Sequence, residues 1–316
     1  MIVFPVPLPE RVPVLVAGAG GGFDFLCGLP IALELEGRGH PVVLASYSFT
    51  DLDRLEGVRR EDGLVEVDAG SVRPDSDYFP EGHLCRWFLE RRGEARSVWC
   101  LPRRGVRPTR TAYERLVERS GAGAVIAVDG GVDGLFRGDE HDLATPSMDA
   151  ISVFAAALAP APVRLYATTA FGVEGAESEV SHAQALRRMA ELAGQDAFLG
   201  AGALVRRAPA CAAFLDAIDF VGARMDPVRR SIVLASMRAA VHGHFGRTDV
   251  HPKTRERQPW ISPLTALYWY FDAGAVAAAK IFRADCLESE TVDEVARAIE
   301  TARARRAPEP FEAIPI

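Results

Sequence analysis

Apolar residues along this chain fall into two alternating rhythms. Short continuous runs stand at VLVAGA (14–19), PVVLASYS (41–48), LVEVD (64–68), SVWCLP (97–102), GAVIAVD (123–129) and VRLYATTAFG (163–172). Runs this short and this uniformly apolar read as strands buried on both faces. Between them the apolar positions take helical spacing, in DFLCGLPIALELE (24–36), a piece around Asp51 to Leu55, Cys85 to Arg91, TRTAYERLVERSG (109–121) and TPSMDAISVFAAAL (145–158). Gly37 and Gly39 supply a stop for the first of these helices. Pro30 forces it either to start afresh near Leu29 or to kink there. Thr145 and Pro146 mark a helix start as N-cap and first helical residue. Strand, glycine turn, helix and strand within forty residues, repeated, predict βαβ crossovers. The expected fold is therefore α/β, a Rossmann-like open, mostly parallel sheet flanked by helices.

After about residue 181 the pattern becomes mainly helical, with SHAQALRRMAELA (181–193), PACAAFLDAIDFVGARM (209–225) and PVRRSIVLASMRAAVHG (227–243). A long basic loop, HFGRTDVHPKTRERQPW (244–260), precedes a last strand, TALYWYFD (265–272). TVDEVARAIETARARR (291–306) closes the pattern, with Thr291 and Glu294 spaced as a capping box. Neither a repeat, a low-complexity linker nor a composition break interrupts the 316 residues, so residues 1–316 read as one domain.

Composition narrows the function classes. Charged residues at 25% and a net charge of −7 are ordinary for a globular protein and unsuited to a nucleic-acid or anionic-membrane surface. Arg103, Arg104, Arg107 and Arg110 form a local basic patch that reads as a solvated face. Five scattered cysteines without a CxxC pair predict reduced, buried thiols. The opening MIVFPVPLPERVP lacks a basic n-region and is broken by four prolines, unlike a signal peptide. With no apolar run near the roughly 20 residues that span a bilayer, a cytoplasmic protein is expected.

In an open parallel sheet, ligands bind at the carboxyl ends of the strands. Those ends are Gly18 to Asp24, Ser46 to Asp51, Asp68 to Ser71, Asp129 to Asp142, Thr168 to Glu179, and Asp272. In the first, Gly18, Gly20, Gly21 and Gly22 precede Asp24 and suit close approach of an anion to backbone N–H groups. A tight ligand-free turn is the plainer reading. Phe23 replaces the third glycine of the dinucleotide fingerprint, and no Gly-Lys-Ser/Thr follows to make a Walker loop. Asp51 is placed to hold a ribose hydroxyl. The densest polar stretch, DGGVDGLFRGDEHDLATPSMD (129–149), crowds carboxylates that need a divalent cation, an arginine or bound hydroxyls to offset their repulsion. Asp129 and Asp133 are the first candidates there, as catalytic residues or as ligands of Mg²⁺ or Mn²⁺; a solvated loop with a turn-capping Asp129 is the alternative.

GVEGAESEVSH (172–182) adds Glu174, Glu177, Glu179 and His182, the last a candidate general base or a helix-start residue. His242, His244 and His251 with Arg247 and Lys253 read as a basic lid over an anionic substrate. Trp260, Tyr268, Trp269 and Tyr270 read as core. No GxSxG elbow points to an acyl hydrolase.

Gly20-Gly21-Gly22-x-Asp24, Asp129-Gly130-Gly131-x-Asp133, Gly138-Asp139-Glu140, Thr145-Pro146-x-x-Asp149 and Ser231-Ile232-Val233 together resemble the family catalogued as domain of unknown function 1152, from about Val14 to Phe271. Leu234 departs from that pattern. The resemblance implies no reaction and carries over no catalytic role.

From the residues, the expectation is a small-molecule enzyme with transferase or hydrolase chemistry. It would hold an anionic, polyhydroxylated substrate, a nucleotide, nucleoside or sugar phosphate, between the glycine turn and the Asp-rich loop. The alternatives are a Rossmann-like enzyme with a nicotinamide or S-adenosyl cofactor and a non-catalytic ligand sensor. Neither nucleic acid nor membrane is an expected partner; a homo-oligomer remains open.

Overall fold

The computed structural model describes residues 3–174 and 178–314. The first half runs β1 (Val14–Ala19), α1 (Asp24–Cys27), α2 (Leu29–Gly37), β2 (Val42–Tyr47), β3 (Arg59–Glu61), β4 (Leu64–Val67), α3 (Pro80–Arg92), β5 (Val98–Leu101), α4 (Val106–Ser120) and β6 (Ala124–Asp129). It continues through α5 (Pro146–Leu158), β7 (Val163–Thr168), α6 (His182–Ala193), β8 (Phe198–Ala203), α7 (Pro209–Gly222) and α8 (Ile232–Val241). The short pair β9 (Gly246–Arg247) and β10 (Trp260–Ile261) follows, then β11 (Leu267–Asp272), α9 (Ala273–Ala279), α10 (Arg283–Cys286) and α11 (Val292–Ala304).

Nine strands form one sheet in the order β3-β4-β5-β2-β1-β6-β7-β11-β8. The five central strands, β5, β2, β1, β6 and β7, are parallel. Every residue of β1 and β6 is buried, because helices cover both faces of the sheet and leave no solvated side. Alternate residues feed two separate cores. Val14, Val16, Ile126 and Val128 pack with α1, α2, α3, α7 and α8. Leu15, Ala17, Val125 and Ala127 pack with α4, α5, α6, α9 and α11. All five cysteines are buried free thiols. Tyr268 and Tyr270 are core, as expected, their hydroxyls donating to Cys27 O at 2.7 Å and Val3 O at 2.8 Å. Among the described residues no helix is long and apolar enough to cross a membrane.

Several local expectations change. At the first helix one of the two expected alternatives holds: after the short α1 the chain starts α2 afresh at Leu29, with Pro30 in its first turn where its missing N–H costs nothing. Around Asp51 to Leu55 only a single tight turn, Leu52–Arg54, forms. LVEVD is not a βαβ strand: β4 runs antiparallel to β5 and joins β3 through Asp62 and Gly63, both at positive φ. That two-residue turn favours hairpin closure, and the exposed, charged β3 carries no apolar signal to announce it. The stretch after 181 is largely helical with the expected last strand, β11, but it also adds an unexpected strand, β8, to the main sheet. FLGAGA of β8 holds two glycines and lies at the exposed edge, which hides it from pattern reading.

Strand direction also moves two proposed site segments. β4 and β11 are antiparallel, so Asp68 and Asp272 lie at the opposite edge from the carboxyl ends of the parallel strands. Asp68 instead caps its own turn, accepting from Gly70 N at 2.8 Å, and Asp272 caps α9, accepting from Ala275 N at 2.8 Å. The expected capping box at α11 is displaced by one residue: Thr291 Oγ1 accepts from Glu294 N at 3.2 Å, but the Glu294 carboxylate takes the N–H of Glu290 at 2.7 Å.

Candidate active site

From β1 the chain turns toward β2 on one side; from β6 it turns toward β7 on the other. The loops after β1 and β6 therefore diverge and leave a crevice above adjacent strands, the switch point of an open α/β sheet. A cavity of about 280 Å³ occupies that place. Gly20, Gly21 and Asp24 line it from the β1 turn, Asp129 to Gly131 and Asp133 from the β6 turn. Thr145, Met148 and Asp149 come from the start of α5, Glu174 from the loop after β7, and Ile232 and Val233 from the first turn of α8. Five carboxyl groups, those of Asp24, Asp129, Asp133, Asp149 and Glu174, thus face one cavity.

The glycine turn serves these acids before any ligand. Gly20 has φ +104°, and a Cβ on it would overlap Asp149 Oδ1 and stand 2.7 Å from Asp24 Oδ2. The amides of Gly21 and Gly130 face the Asp24 carboxylate and favour its ionised form. One amide of the turn read as an anion cradle, that of Gly21, thus faces the chain's own Asp24. Gly18 does not line the cavity; the α1 backbone at Phe25 packs where its side chain would be, so its role is to let α1 fold back on β1.

Tyr166 Oη donates to Asp129 Oδ2 at 2.5 Å, and the Thr145 amide to Asp133 Oδ2 at 3.3 Å. Val132 N donates to Glu174 Oε1, whose other oxygen is 3.2 Å from His182 Nε2. Asp149 Oδ2 is buried and has no hydrogen-bond partner among the described residues. Lys280, also buried, donates to Gly134 O and Phe136 O at 2.5 and 2.6 Å, which ties down the β6 loop from below without neutralising any acid directly.

Burial and mutual repulsion set the ionisation. Asp24, Asp129 and Asp149 are held well above the usual carboxylate range, first by desolvation and then by their neighbouring aspartates. Asp133 is pushed to about 6 by desolvation and by Glu174. These acids take up protons on folding, since an unfolded aspartate titrates near 4. Where the native state binds more protons than the unfolded chain, stability falls as pH rises. The ligand-free protein is therefore expected to lose stability between about pH 4 and 6 through Asp133, on the order of 1 kcal/mol per pH unit. Asp133→Asn should reduce the slope in a pH series of denaturant melts by that share, the other raised aspartates keeping the rest; an unchanged slope would show that the group ionises freely.

A second recess opens directly beside the cavity and shares Gly21, Asp24, Phe49, Ile232 and Val233 with it. This mouth is cationic, lined by Arg73, Arg229, Arg230 and Lys253, with Asp51, Ser76 and Tyr78. Arg73 pairs with Asp75 and Arg229 with Asp77. Arg230 and Lys253 form no ion pair among the described residues. Asp51 is exposed on the rim, 3.3 Å from Arg54.

The remaining sequence candidates scatter. His182 stands behind Glu174 and lines a different recess, with His141, Arg247, Arg257 and Trp260. Of the expected basic lid only Lys253 reaches the mouth; His242 bonds Arg238 O at 2.9 Å, and His251 is buried beside α7 and α8. Asp139, Glu140 and Asp142 are structural, pairing with Arg188 or receiving backbone N–H groups. Glu177 lies outside the described residues. Tyr166 and Arg230 carry no signal in the sequence that points to the site. Asp149 stands out there only as a member of the acidic stretch and through its place at the start of a helix announced by Thr145-Pro146, and Lys253 only as part of the expected basic lid.

A Rossmann-like α/β protein with an acid-lined switch-point cavity is what fold and site define. The family described as protein of unknown function (DUF1152) matches residues 15–305, and the chain belongs to it. No curated protein and no solved structure matches the chain.

Proposed function

We propose that this chain is a small-molecule enzyme, a transferase or hydrolase, acting on an anionic, polyhydroxylated substrate of the nucleotide, nucleoside or sugar phosphate class. The observation that carries this reading is the contiguity of an acid-lined cavity with a cationic mouth. Hydroxyls suit the inner acids, which accept hydrogen bonds when ionised and donate when protonated. A phosphoryl group suits Arg230 and Lys253 outside. Asp133, titrating near 6, is fitted to give or take a proton at neutral pH. His182 acts on this reading through Glu174, orienting it and exchanging a proton with it. Asp24 already sits against the turn where a dinucleotide pyrophosphate would bind, which weighs against the nicotinamide alternative. Mg²⁺ or Mn²⁺ matches the charge of the cavity, yet among the described residues no three His, Cys, Asp or Glu side chains gather closely enough to hold a metal ion. Buried thiols support a reducing, cytoplasmic setting.

Thermal-shift and native mass-spectrometric screening of nucleotides and sugar phosphates should find a stabilising ligand. Asp129→Asn with Asp133→Asn should weaken that ligand at least tenfold while the protein stays folded. Unaltered affinity in the double variant would remove the cavity from the site.

A further inference from the structure

We infer that the substrate held by this cavity carries a protonated aliphatic amine, bound among the inner acids, in addition to the phosphoryl group at the mouth. The inference rests on the functional reading above and names its substrate class more closely.

Hydroxyls alone leave the inner cavity unbalanced. Five carboxyl groups surround about 280 Å³; His182 reaches Glu174 alone, and the buried Lys280 spends its ammonium on two backbone carbonyls. Elsewhere in this protein buried acids are matched: Glu140 has Arg188, and Glu81 accepts from the hydroxyls of Ser46 and Thr50. Among the described residues Asp149 is the buried acid that turns an oxygen without a protein donor toward this cavity. Asp149 marks the place most directly, for it is 4% exposed, lines the cavity and has one oxygen without a donor. A buried acceptor left bare is costly, more so when charged, and a three-donor ammonium supplies what is missing. Among the described residues no three of these carboxyls gather closely enough to hold a metal ion, which suits an ammonium on an organic frame better than a bare ion. Met148, Val173, Ile232 and Val233 give that frame apolar wall to lie against. The opposite charges of the two recesses then fix the substrate's direction, amine inward and phosphoryl outward.

Binding an ammonium favours the ionised acids, so it must release protons where those acids are protonated in the free protein. Affinity for the amine should accordingly rise as pH increases through about 6.

The test compares glucosamine 6-phosphate with glucose 6-phosphate, which differ in one amine, and 2-aminoethyl phosphate with ethyl phosphate, by calorimetry in two buffers of different ionisation enthalpy. MgCl₂ and MnCl₂ alone are run beside them. The expected result is at least a tenfold preference for the aminated member of a pair, with proton release. Asp149→Asn should abolish the preference without abolishing phosphate-dependent binding, and Asp133→Asn should reduce the proton count if Asp149→Asn does not fold. Equal affinity for both members of each pair overturns the inference and leaves the functional reading standing. Tight binding of the metal salts through the same aspartates, with no amine preference, overturns it in favour of a metal site. Failure of every phosphorylated probe to bind overturns it and counts against the functional reading too.

Discussion

Arg188→Ala is expected to destabilise the protein by about 3–5 kcal/mol, the cost of leaving a buried charge without its partner. Arg188 is 2% exposed and Glu140 is fully buried, with Arg188 Nε 2.6 Å from Glu140 Oε1. The same guanidinium reaches Glu191 at 2.8 Å, Glu309 at 3.2 Å and Asp139 at 3.4 Å. Burial alone would raise the pKa of Glu140, but the N–H groups of Arg137 and Gly138 together with Arg188 hold it below its ordinary value. Removing Arg188 leaves an ionised carboxylate in the core between α6 and the loop that carries Gly138. The melting temperature should fall on the order of 5–10 °C. Arg187→Ala is the internal comparison: its pairs with Glu309 and Glu312 are solvent-exposed, and such pairs contribute about 0–1 kcal/mol. Equal losses in the two variants would mean that the Arg188 cluster is no more than surface decoration.

The second large effect is expected at Gly20→Ala. Its φ of +104° costs a side chain about 1–3 kcal/mol, and the added Cβ would collide with Asp149 and crowd Asp24. Destabilisation of about 2–4 kcal/mol follows from strain and overlap together. More telling is the loss of ligand binding, because both carboxylates must swing out of the cavity to make room. Gly39→Ala isolates the backbone contribution: φ there is +88° and nothing lies within 4 Å of the new Cβ. If the two variants lose the same stability, the close approach at Gly20 is not what the glycine provides.

The acids of the candidate site were legible in the sequence to different degrees. Asp24, Asp129 and Asp133 followed from strand ends and adjacent glycines, since both motifs sit in βα turns of parallel strands and the fold sends those turns to one edge. Asp149 was visible only as part of an acidic stretch in which Asp139, Glu140 and Asp142 proved structural. Charge count along the chain does not distinguish a carboxylate that meets an arginine from one that meets a cavity. His182 looked like a base because it follows a strand, yet it reaches the cavity only through Glu174. Asp68 and Asp272 failed because a strand's direction is not written in its apolar pattern: alternation and burial look alike in parallel and antiparallel pairs.

By itself the sequence determined the α/β class, the central parallel strands, the two glycine-and-aspartate turns and the burial of the thiols. Those properties are local, set by side-chain periodicity, turn chemistry and the need to cover apolar runs. Only the tertiary structure decided that the glycine turn faces the chain's own carboxylates, that β8 closes the sheet, and that Arg230 and Lys253 stand beside the acids. Each of these joins segments distant in sequence, and which segments meet depends on strand order and packing across both faces of the sheet.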